Sequence, residues 1–166
     1  CARTRILVEK SAFDKFMEHF EKAVKAFRCE DPNLDSAGMG PLISKKQMDT
    51  VTSYIDNTSD SKIAFQGTAP TGPGFWVPPT VLMPKDTKAK SWQEEIFGPV
   101  VAVLPFDDEA DAIAKVAATK KRFRIVGAAR NARVVNIHQW RKSSRRSLWR
   151  NSTHNIQFVK QVVKIV

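Results

Sequence analysis

Two groups of residues in this 166-residue chain have types and spacings that could do chemistry. The first is the string Glu94-Glu95-Ile96-Phe97-Gly98-Pro99, with two carboxylates next to an aromatic ring and a Gly-Pro turn. An ionised carboxylate can accept two hydroxyls at once. Read without context, the acids are equally a solvated pair ahead of a strand, and Phe97 a core aromatic. The second group is the thiols, Cys1 and Cys29. A thiolate can attack an electrophilic carbon, but Cys29 ends an apolar helical stripe and reads as a buried small hydrophobe. His19, His138 and His154 have no ligand spacing with cysteine or carboxylate, so no metal site is expected. His19, among polar neighbours, reads as solvated. Trp140 and Trp149 interleave with Arg141, Lys142, Arg145, Arg146 and Arg150. That mixture suits stacking and phosphate contact on single-stranded nucleic acid. No RNA-binding signature accompanies it, and a solvated basic tail is the plainer reading.

Composition sets the bounds. A hydrophobic fraction of 42% supplies a core and argues against wholesale disorder. The apolar run Val100–Phe106 is far short of the ~20 residues that span a bilayer, and no signal-like segment opens the chain. Two cysteines make no disulfide framework, so a cytoplasmic, reducing compartment is expected. Charge is divided sharply. Residues 1–111 carry 13 Lys and Arg against 17 Asp and Glu, a balance of −4, while residues 112–166 carry 14 Lys and Arg and no acid. The net charge of +10 therefore comes entirely from the last third. A basic binding protein acting through residues 112–166 is one reading of that imbalance.

Elements must position the chemistry. Thr4–Val8 reads as a strand. Ser11 with Asp14 resembles a capping box, and Phe13, Phe16, Met17, Phe20, Ala23, Val24 and Phe27 form one helical stripe. Asp31-Pro32-Asn33 ends that helix. Ser44–Ile55 predicts a second helix with Met48, Val51, Tyr54 and Ile55 on its apolar face. Ile63–Phe65 and Thr80–Met83 read as brief extended pieces, with an irregular Pro- and Gly-rich stretch between them. Val100–Leu104 reads as a buried strand. Asp107-Asp108-Glu109 opens a third helix, where the dipole favours negative charge, with Ala110, Ile113, Ala114, Val116 and Ala117 as its apolar side. Strands alternating with helices predict an α/β fold with a mostly parallel sheet. Beyond Thr119 periodicity weakens, although Phe158–Val166 alternates loosely as a strand might. Residues 1–119 are therefore one unit and residues 120–166 a basic segment of undefined structure.

Three segments carry a resemblance. They are Cys1–Glu9; Gly40-Pro41-Leu42-Ile43-Ser44 with Gln47 and Tyr54-Ile55; and Gly74–Leu82 together with Glu94–Val100. Over residues 1–119 they resemble NAD(P)-dependent aldehyde dehydrogenases, and the Phe75–Leu82 wording is most similar to the betaine aldehyde and aminobutyraldehyde branch. The resemblance implies part of a catalytic domain and oxidation of a small aldehyde to a carboxylic acid. In the family this proceeds through a cysteine thiohemiacetal and thioester, with NAD or NADP as hydride acceptor. It implies that Glu95 accepts hydrogen bonds from the ribose beside the nicotinamide, that Phe97 lies against the nicotinamide ring, and that Gln47 touches the cofactor from its helix. Three residues on, the family often has a basic side chain; Thr50 stands there instead.

The resemblance places the nucleophile five residues before Arg5, so Cys1 aligns with its neighbour, and no catalytic residue is assigned. The family's glutamate base, its oxyanion asparagine and its dinucleotide domain have no counterpart here, and no G-x-G-x-x-G is present. The isolated chain is therefore expected to be inactive. Arg124 stands where the family has a small residue. With the acid-free stretch, this suggests a truncated or frame-shifted product. A first helix without its full partner surface also predicts exposed apolar patches and self-association into a homo-oligomer.

Overall fold

The computed structural model describes residues 4–57, 59–119, 125–128 and 135–137. β1 (Arg5–Glu9) is apolar at three successive positions and runs straight into α1 (Lys10–Lys25) without a loop. That direct entry leaves no room for the predicted capping box. Glu9 occupies the cap position, and Ser11, already inside the first turn, donates its hydroxyl to the Glu9 carboxylate. α2 (Lys45–Ile55) begins at Ser44, whose Oγ accepts the Gln47 backbone N–H at 3.2 Å, a standard N-cap. β2 (Ser61–Gln66), β3 (Thr80–Pro84), the single turn α3 (Lys90–Gln93) and β4 (Val100–Phe106) follow. α4 (Glu109–Ala117) is capped by Asp108, whose side chain accepts from the Asp111 N–H. β5 (Ile125–Ala128) and β6 (Val135–Ile137) come from the basic segment.

The strands form one mixed, mostly parallel sheet in the order β2-β3-β4-β1-β5-β6. β3, β4, β1 and β5 run parallel, and the edge strands β2 and β6 are antiparallel to their neighbours. The predicted α/β class is therefore what is observed, and its sheet continues past Thr119. β1 is central, pairing Ile6 with Val103 on one side and with Val126 on the other.

A central parallel strand is covered on both faces, and alternate residues of β1 point to opposite sides. Ile6 and Val8 meet Phe16, Phe20 and Val24 of α1, with Val81, Val101 and Val103. Leu7 faces the other way, toward Ala89, Trp92, Ala102, Leu104, Ala112 and Val116. The predicted α1 stripe is the one that packs. On α4 the predicted Val116 packs, joined by Ala112, whereas Ile113 is 60% exposed. A nine-residue helix rich in alanine has little periodic signal, so its buried face was misassigned from spacing. A third cluster joins Val51, Tyr54 and Ile55 of α2 to Val77, Leu82, Ile96 and Val100. Among the described residues no helix is long and apolar enough to cross a membrane.

Candidate functional site

Residues 94–99 link α3 to the start of β4 and lie against α2. Two short turns shape the segment: the Gly98 N–H donates to the Ile96 carbonyl at 3.0 Å, and the Val100 N–H to the Gly98 carbonyl at 2.8 Å. These i→i+2 contacts bend the chain tightly. Ile96 turns inward and is 4% exposed, whereas Phe97 turns outward and is 68% exposed. Glu94 and Glu95 are exposed residues, but Glu94 has a structural partner. Its Oε2 accepts the Tyr54 hydroxyl at 2.6 Å.

Three residues of α2 grip this segment. Gln47 Nε2 donates to the Phe97 carbonyl at 2.6 Å. Val51, fully buried, sits directly over Gly98. Tyr54 holds Glu94. Positions 47, 51 and 54 are spaced four and three apart, so they share one helical face. Partial burial, followed by the bond to Glu94, pushes the Tyr54 phenol up to about 12. The Lys90 ammonium lies 4.7 Å from the centre of the same ring, within cation–π range.

From beneath, Arg5 of β1 reaches the same segment. Its Nε donates to the Trp92 carbonyl at 2.5 Å and its Nη2 to the Glu94 carbonyl. Burial lowers its pKa to about 10, offset in part by the negative charge of Glu95. Arginine remains a cation at neutral pH in this setting.

Of the residues singled out in the sequence, Gln47 and Phe97 thus meet where α2 begins, and Glu95 is exposed two residues before Phe97 on the same segment. Thr50, on the same helix, donates its hydroxyl to the Lys46 carbonyl at 2.9 Å. Cys29 is a half-buried free thiol whose pKa is raised by desolvation, the opposite of an activated thiolate. His19 Nδ1 lies 2.7 Å from the Lys15 carbonyl, one helical turn back. Among the described residues no three metal-ligating side chains converge. Cys1, His138, His154, Trp140, Trp149, the basic cluster around them and the Phe158–Val166 alternation lie outside the described residues. Arg5 and Tyr54 were not singled out for the site from sequence. Tyr54 could have been found from its place seven residues after Gln47. Arg5 offered no local signal, because its acceptors are 87 and 89 residues away.

A mostly parallel sheet flanked by helices, with an exposed acid and an exposed aromatic just ahead of a strand, defines an α/β domain. The aldehyde dehydrogenase family model matches residues 1–142, and this chain belongs to that family. It is 34% identical over 141 residues to a betaine aldehyde dehydrogenase of Agrobacterium fabrum, covering 82% of this chain and 28% of that protein. It is 35% identical over 115 residues to an aldehyde dehydrogenase of Emericella nidulans, covering 68% and 23%. A Staphylococcus aureus betaine aldehyde dehydrogenase point mutant, crystallised with NAD+, superposes with a TM-score of 0.66 at 32% identity, covering 76% of this chain and 26% of that one. Proline utilization A of Bdellovibrio bacteriovorus superposes at 0.68 with 29% identity, covering 76% and 13%. The chain spans about a quarter of the length of the curated relatives it matches. The family match also runs past Thr119, as the sheet does.

Proposed function

We propose that this chain forms the nicotinamide-holding part of an enzyme that oxidises a small aldehyde to a carboxylic acid with NAD or NADP. One observation carries the reading: the Gln47–Phe97 hydrogen bond of 2.6 Å joins two of the three candidate cofactor residues, and Glu95 lies two residues before Phe97 on the same exposed segment. The donor set suits a nicotinamide riboside. Glu95 offers an exposed carboxylate to a ribose diol, and Phe97 an exposed ring to a planar heterocycle. The bound dinucleotide would supply the hydride acceptor. Glu95 would fix the sugar by accepting its hydroxyls, Phe97 would limit the ring's approach, and Gln47 would hold the Phe97 backbone still. Hydride transfer demands such fixed placement. No catalytic residue is assigned in this chain, and Cys1 neighbours the position expected for the nucleophile. All residues given a role lie within 1–119, which we take as the functional unit, with 120–166 carrying no assigned role.

The relatives named betaine aldehyde dehydrogenase support an aldehyde carrying an ammonium or amino group. A cytoplasmic setting belongs to the same reading, consistent with the free Cys29 thiol. Self-association is supported by the exposed side chains of Ile43, at 92%, and Ile113, at 60%, and sedimentation velocity tests it. The central test is titration of the 166-residue chain with nicotinamide mononucleotide, followed by saturation-transfer NMR. Glu95→Gln keeps the size and removes the charge, so affinity is expected to fall about tenfold. Equal binding by Glu95→Gln, Phe97→Ala and the unsubstituted chain would overturn the proposal.

A further inference from the structure

Arg5 is 1% exposed, one of the largest fully buried side chains among the described residues. A buried guanidinium is costly unless its protons find acceptors. Here Nε faces the Trp92 carbonyl at 2.5 Å, Nη2 the Glu94 carbonyl, and Nη1 the Thr4 hydroxyl at 3.2 Å. These hydrogen-bond acceptors are all uncharged. Two of them are main-chain groups on either side of Gln93, directly ahead of Glu95. Such a fork fixes a peptide segment in both height and direction, which a lysine, as a single point of charge, does not.

We infer that Arg5 is a positioning residue for the Glu95–Phe97 segment. It suspends that segment from β1 while Gln47, Val51 and Tyr54 hold it from α2. Its purpose rests on the nicotinamide reading above; its geometry rests on the hydrogen bonds alone.

The test uses the 166-residue chain with Arg5→Lys and Arg5→Gln. Amide exchange at Glu94 and Gly98 is expected to rise about tenfold in both variants, with Val51–Ile55 amides unchanged. Nicotinamide mononucleotide affinity is expected to fall equally in both, even though Arg5→Lys retains the charge and more of the stability. Affinity that instead tracks thermal stability across the two variants shows a purely structural role and overturns the inference, as does unchanged exchange at Glu94 and Gly98. If the unsubstituted chain binds no mononucleotide, the nicotinamide reading falls, and the exchange difference alone supports or overturns the tie. If neither variant folds, the Arg5 Nε–H resonance of the unsubstituted chain decides. Slow exchange with water supports the tie, and exchange at the rate of a free arginine overturns it.

Discussion

Val51 fills the space that any side chain at position 98 would need. A Cβ built on Gly98 would come within 2.6 Å of Val51 Cγ2 and 3.0 Å of Cγ1. Val51 is fully buried in mid-helix, and a helical valine has essentially one rotamer, so it cannot turn aside. Gly98→Ala is therefore expected to cost about 1–3 kcal/mol, read as a lower urea midpoint. Adding Val51→Ala should recover part of that loss. A double variant no more stable than the sum of the single losses would show that the contact is not the cause.

Tyr54→Phe deletes the phenol that holds Glu94 and should cost about 1 kcal/mol at neutral pH. The cost should depend on pH in a defined way. The Tyr54 phenol is pushed up to about 12 in the folded chain, against an ordinary 10.0. The neutral form is thus favoured by folding. Its contribution is fully present below pH 10 and is lost as pH rises toward 12. The stability gap between the two proteins should close across that window, followed by thermal melts in alkaline buffers. A gap constant from pH 8 to 12 would contradict the assignment.

Gln47→Ala separates stability from binding. The Phe97 carbonyl lies at an exposed hydrogen bond, so water can replace the lost donor and the stability change should stay under about 1 kcal/mol. Phe97 would no longer be fixed, and nicotinamide mononucleotide should bind several-fold more weakly. Urea unfolding and an NMR titration on the same sample check both halves.

Phe20→Ala tests the core beneath the site. Phe20 is 1% exposed, with its ring 5.4 Å from Phe16 and 5.7 Å from Phe65 in an edge-on arrangement. Truncation should cost about 3–5 kcal/mol, a substantial share of the roughly 5–15 kcal/mol that stabilises a typical domain. A markedly lower urea midpoint, followed by near-ultraviolet circular dichroism, is the expected result.

The long-period features are legible in the sequence. The α1 stripe and the β4 run repeat often enough for spacing alone to reveal them. α3 was not anticipated because a single turn, Lys90–Gln93, has no period to detect. The Ser11 cap was misread because β1 passes into α1 without the loop that a capping box needs. On α4, alanines contribute so little apolar area that the phase of the buried face was ambiguous, and Ile113 proved exposed. β5 and β6 were hidden inside a stretch of cations that masks alternation. Of the site, Glu95, Phe97 and Gln47 stood out through a contiguous string of letters. The grip of Arg5, joining positions nearly ninety apart, is a product of sheet order and could not be read locally.

That sheet order also bears on biosynthesis. β1 precedes β4 and β5 in the chain yet lies between them, so both its neighbours are translated roughly a hundred codons after it. Until then it is an apolar ribbon with two open sides, held only by the helix that follows it. Contacts between such distant positions slow folding. The nascent chain must therefore keep this apolar strand covered until β4 and β5 have followed it, a task suited to a holding chaperone that recognises short apolar runs.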